Sequence, residues 1–254
     1  MPINDFNDEQ YLLDAIKKAI DNVYSNSQFN KVKHNYSLFN ENERYLMNFN
    51  EYYNKCLDLV SDLDKIVVFI RCFPSKKYYE NNDINQMEFI KYHLEVYFYK
   101  IHTLLDIMKK LLNALFEYGL SEKECTWNRL KTKNEILNSD FEKLILAYHN
   151  TFRDILEKRN LSSHDAHFEK EIEHKLIDSY LLINKLEDKY KSHSPGNKSS
   201  KIEQASYNFR ILEYRKEQLV FVRRGINVAN ILVHKFLKVA LFEFVKRHTS
   251  KVSD

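Results

Sequence analysis

The chain is a succession of apolar stripes at helical spacing, divided by short polar stretches. Leu12, Ala15, Ile16, Ala19, Ile20 and Val23 recur three and four residues apart, which predicts an amphipathic helix over 8–29. A polar, Asn-rich stretch follows, around KHNYSLFNENE. Leu46, Phe49, Tyr53, Leu57, Val60, Leu63, Val67 and Ile70 share one face of a second helix over 42–72. The stretch FPSKKYYENND, with Pro74, is expected to break it. The longest uninterrupted pattern is 84–118, from Phe89 to Phe116, and Gly119 stands where a left-handed residue would end that helix.

A short helix is expected within 121–132. Another is expected over 140–160, with Phe141, Leu144, Ile145, Tyr148, Phe152, Ile155 and Leu156 inward. The sequence RNLSSHDAH then interrupts the period, and Ser162, Ser163 and Asp165 suit the N-cap of a helix over about 166–191. SHSPGNKSSK (192–201) reads as a linker, and 201–248 as a last long helix, interrupted at most near Gly225. No strand alternation is convincing. The pattern predicts an all-α protein, an antiparallel bundle of long helices joined mostly by short turns.

Composition agrees and excludes much. Only 3 residues are Gly and 3 are Pro, where average usage gives roughly 18 and about 13. Few tight turns are therefore available. With Gly119, Gly196 and Gly225 so far apart, no GxGxxG, GxxxxGK[ST] or GxSxG motif exists. That removes the usual dinucleotide fold, P-loop NTPases, Gly-rich-loop kinases and nucleophile-elbow hydrolases. Hydrophobic residues at 44% and charged residues at 30% fit a globular protein. The net charge of +3 is too slight to announce a nucleic-acid partner by itself. Cys56, Cys72 and Cys125 show no CxxC spacing and read as reduced core thiols of a cytoplasmic protein. The opening MPINDFNDEQ lacks a leader pattern, and no apolar run approaches the length of a membrane span.

Candidate chemistry is sparse. His164 and His167 stand three residues apart and EIEH supplies one E-x-x-H, Glu171 to His174, so that His164, His167 and Glu171 are a candidate metal set; but a di-iron bundle needs a second such segment, and a solvated charged face is the plainer reading. No metal or other cofactor is expected. The basic residues Lys76, Lys77, Lys109, Lys110, Arg223 and Arg224 read as solvated faces open to unspecific phosphate contact. RNLSSH is different. Arg159 closes one predicted helix and His164 opens the next, so the junction brings their side chains near each other. A guanidinium can hold a phosphate through two parallel hydrogen bonds. An imidazole exchanges protons near neutral pH. Ser162, Ser163 and a helix N-terminus add donors for an anion. The set suits metal-free RNA cleavage, with the imidazole taking the ribose 2′-hydroxyl proton and the guanidinium stabilising the phosphorane. Spacing alone leaves a second reading open, in which Arg159 caps helix carbonyls and His164 caps or packs.

Arg159, followed by Asn160 and closed by His164 as R-x4-H, resembles the hallmark of the HEPN superfamily (higher eukaryotes and prokaryotes nucleotide-binding). FEKLILAYHNTFRDILEKRN looks like that family's motif-bearing helix, and IKYHLEVYFYKIHTLLDIMKKLLNALFEYGL like its long partner. The resemblance spans about 84–192. It implies a helical core there; an N-terminal helical extension over 1–80 and a C-terminal long helix over 201–254, expected to pack on the core, lie outside the matched part. It implies a metal-independent endoribonuclease, homodimeric, in a toxin or phage-defence role, with an antitoxin or regulatory protein as a possible partner. Arg159 and His164 match the motif's pair and Asn160 its polar follower, with Ser162, Ser163 and His167 as supporting groups. One departure is visible. Toxins of this family neutralised by nucleotidylation carry a Tyr two residues after the His, where this chain has Ala166. Some members are non-catalytic binding modules, so a helical module for a nucleotide, RNA or a partner protein is the alternative.

Overall fold

A computed structural model describes residues 5–31, 35–73, 77–82, 84–162 and 198–253; for 5–6, 80, 158–162, 198–207 and 253 it describes the backbone alone. The described residues form eight α-helices and a single 3-10 turn, with no strand: α1 (Asp5–Tyr24), the turn Tyr36–Leu38, α2 (Glu41–Arg71), α3 (Lys77–Asn81), α4 (Gln86–Leu115), α5 (Trp127–Leu130), α6 (Asp140–Thr151), α7 (Arg153–Ser162) and α8 (Lys198–Ser253). The protein is an all-α helical bundle. No described helix is long and apolar enough to cross a membrane.

Helix ends are set by local side chains. α2 starts with a reciprocal capping box: Asn40 Oδ1 accepts the Glu43 N–H and Glu43 Oε2 accepts the Asn40 N–H, both at 2.9 Å. α4 repeats the device. Asn85 Oδ1 accepts from the Met87 and Glu88 amides, and Glu88 Oε2 accepts the Asn85 N–H at 3.0 Å. α1 stops five residues short of the predicted limit. Ser25 Oγ donates to the Asp21 carbonyl and Asn26 Oδ1 accepts the Gln28 N–H, so both side chains compete for backbone groups that a longer helix would use.

α4 ends before Gly119, not at it. The Tyr118 N–H reaches the Asn113 carbonyl and the Glu117 N–H reaches that of Ala114, the paired bonds of a Schellman motif. Glu117 takes the left-handed position at φ 53°, and Gly119 (φ 66°) serves the turn that follows. Asn113 then clamps Leu120 through both its amide atoms. The predicted helix over 140–160 is two helices, broken at Phe152, whose ring is buried. Residues 198–201, read as linker, are the first turn of α8.

The chain forms two compact units. The first comprises Met1–Ser61, Thr103–Thr151 and Val228–Asp254, the second Asp62–His102 and Phe152–Asn227. The core of the first unit is aromatic. Phe49 and Phe244 stack at 4.1 Å, Tyr45 and His248 lie against Phe244, and Phe141 sets its ring edge-on to Phe116 and Phe236. The polar tips are satisfied: the Tyr45 hydroxyl donates to the Leu115 carbonyl at the end of α4, and Tyr11 pairs with His248 Nδ1 at 2.7 Å. In the second unit Asp62 bridges Lys65 and Lys100, each at 2.7 Å, and Arg215 donates to Gln86.

α8 passes Gly225 without a break. The glycine is there for space. A Cβ at 225 would lie 1.9 Å from the Tyr97 hydroxyl and 3.1 Å from its ring, and Tyr97 is fully buried.

Candidate functional site

α7 carries the first half of the sequence-predicted site. Its inward residues Ile155 and Leu156 are buried, and the backbone stays helical through Arg159, Asn160, Leu161 and Ser162. Ser162 is the last described residue of this helix. Ser163, His164, Asp165, His167 and Glu171 lie outside the described residues. Among the described residues no three His, Cys, Asp or Glu side chains come together as a metal site. Three residues of α4 are candidates in sequence for a group supporting the motif, His93, Glu95 and His102: Glu95 is exposed, His102 is half-buried, and His93 belongs to a different assembly.

That assembly is a cavity of about 990 Å³ in the second unit, between the end of α2, α3 and the start of α4. α2 contributes Val68, Phe69 and Cys72. α3 and its turn contribute Tyr79, Asn82 and Ile84, held by the Ile84 N–H on the Tyr79 carbonyl (2.9 Å) and by Asn82 Nδ2 on that of Tyr78 (2.7 Å). The first turns of α4 contribute Glu88, Phe89, Tyr92 and His93. The Asn85–Glu88 capping box fixes where this helix begins and so where those side chains point.

His93 is the hub of the walls. Phe69 stacks on it at 4.9 Å and 8°, and Phe89 and Tyr92 meet it edge-on at 4.5 and 5.4 Å. Phe73 packs against both Phe89 and Tyr79. Burial among these rings holds the imidazole below its ordinary pKa, so it is neutral at pH 7. Among the described lining residues Glu88 is the one fixed charge. A mostly aromatic hollow of this size with a few polar groups is the form of a small-molecule site.

This place is not marked by the periodicity of the sequence. FPSKKYYENND reads as a breaker, but it contains the five-residue α3, and the expectation that all three cysteines are core thiols needs correction. Cys56 and Cys125 are buried as expected, but Cys72 follows the last residue of α2 and is exposed. The available signal was the density of Phe, Tyr and His on both sides of Pro74. No family model, curated protein or solved structure matches this chain.

Proposed function

We propose that the protein is a metal-independent endoribonuclease of the HEPN type, acting as a cytoplasmic homodimer in a toxin or phage-defence role. The observation that carries this reading is R-x4-H, Arg159 to His164, at the end of a helical segment rich in inward apolar residues. Two further features support it: the all-α architecture, and a chain without any glycine-rich phosphate loop, which leaves phosphate handling to side chains and helix ends.

In this mechanism His164 takes the proton from a ribose 2′-hydroxyl, and the oxygen attacks the adjacent phosphorus. The Arg159 guanidinium stabilises the charge that develops on the phosphorane oxygens. The P–O5′ bond then breaks and the leaving 5′-oxygen takes a proton from water, giving a 2′,3′-cyclic phosphate and a 5′-hydroxyl end. Asn160, Ser162, Ser163 and His167 position the phosphate. Two copies of the motif face each other across a homodimer, and an antitoxin or regulatory protein would restrain the activity.

The test is cleavage of RNA by the purified protein in the presence of a chelator. Cleavage with cyclic-phosphate ends is expected, and Arg159→Ala or His164→Ala should each lower it by about 10² or more. Undiminished cleavage in both variants removes the assignment. RNA binding without turnover favours a non-catalytic binding module instead.

A further inference from the structure

The second unit's cavity has a chemistry of its own, independent of the Arg159–His164 motif. Its walls are Phe69, Tyr79, Phe89 and Tyr92, so it favours an apolar or aromatic body. Its polar side favours one sign of charge. Glu88 supplies a carboxylate, and none of the described lining residues is Lys or Arg. The N-terminus of α4 would ordinarily attract an anion. Here the Met87 and Glu88 amides are already taken by Asn85 Oδ1, and an acidic side chain stands at that turn. Neutral His93 adds no opposing charge. Aromatic faces attract cations through their quadrupole, and a nearby carboxylate adds to that attraction.

We propose that this cavity binds a hydrophobic organic cation, with its body against Phe69, Phe89 and Tyr92 and its charged head toward Glu88. The volume, about 990 Å³, suits a drug-sized molecule better than a bare ammonium ion. Both Tyr92 and Glu88 are exposed, so the ligand can enter without unfolding the unit.

The test uses the full chain and no RNA, so that it stands or falls apart from the nuclease reading. Benzyltrimethylammonium, its uncharged isostere neopentylbenzene and the anion phenylacetate are titrated by ligand-observed NMR. Saturable binding of the cation is expected, about fivefold tighter than the neutral isostere, with no binding of phenylacetate. Glu88→Gln keeps a side chain able to complete the α4 cap. Tyr92→Ala removes a mostly exposed ring. Each should weaken the cation about fivefold while the helical circular dichroism and melting temperature stay unchanged. Absence of saturable binding, equal affinity for the cation and its isostere, or full affinity in Glu88→Gln overturns the proposal.

Discussion

Gly225 and Tyr97 illustrate how one residue's identity is decided by another far away in the chain. The Tyr97 ring lies against the α8 backbone where any Cβ would collide with it, and Phe152 closes the same spot at 3.6 Å. Its hydroxyl has no hydrogen-bond partner among the described residues. Two expectations follow. Gly225→Ala should cost about 1–3 kcal/mol despite the better helix propensity of Ala, because the rigid, fully buried ring has nowhere to move. Tyr97→Phe alone should change stability by less than about 1 kcal/mol, since no hydrogen bond is lost, and should recover part of the Gly225→Ala loss. Urea unfolding of the four proteins checks both, and an additive double variant would contradict the contact. From sequence Gly225 reads only as a possible interruption of α8. A glycine that breaks a helix and one that admits a neighbour look alike until the neighbour is known. The same limit applies at the end of α4, where Glu117 takes the left-handed position for which Gly119 is the natural candidate in sequence.

Element boundaries here are written in short polar signals more than in the apolar stripes. Asn40-x-x-Glu43 and Asn85-x-x-Glu88 are capping boxes, and Ser121-x-x-Glu124 and Ser139-x-x-Glu142 make related contacts before α5 and at the start of α6. Each is visible in the sequence, and each bounds a helix or turn that periodicity alone locates only to within a few residues. Removing Asn40 or Asn85 by mutation to Ala should cost about 1 kcal/mol, seen as a lower denaturant midpoint with unchanged slope. Asn85→Ala should also loosen the first turn of α4, and so weaken cation binding at the cavity that this turn lines. Other boundaries were not legible. The break at Phe152 lies inside an unbroken apolar period, so nothing in the local pattern separates α6 from α7. α3 is too short for a period to register at all, which is why the cavity it helps to close was not seen.

For the whole molecule the class was legible and the cavity was not. Six long apolar stripes with almost no Gly or Pro leave few architectures other than packed helices. R-x4-H is compact in sequence and can be found by eye, whereas the cavity needs three elements to converge, and its aromatic residues look in sequence like ordinary core. The structure also predicts how stability responds to acid. His248 is buried between Tyr45 and Phe244; burial first and the neighbouring Lys251 charge second lower its pKa, and burial lowers that of His93. Groups facing His248 are Tyr11, Tyr45 and Lys251. Near pH 7.5 both folded and unfolded chains hold these imidazoles neutral. As pH falls below about 6.5 the unfolded chain takes up protons first, so stability falls with pH and levels only below the folded-state values. Asp62, Glu122 and Glu124, whose partners lower their pKa, add their losses at lower pH still. The melting temperature should therefore drop as pH falls below about 6.5, and His248→Gln should flatten part of that drop. An unchanged slope in the variant would assign the loss to other groups. One feature of the thiols has a practical use. Because Cys56 and Cys125 are buried and Cys72 is exposed on the cavity wall, a maleimide dye added to the folded, unmutated protein attaches at a single place. The chain thus carries its own attachment point for an optical reporter, beside the site whose occupancy is to be read.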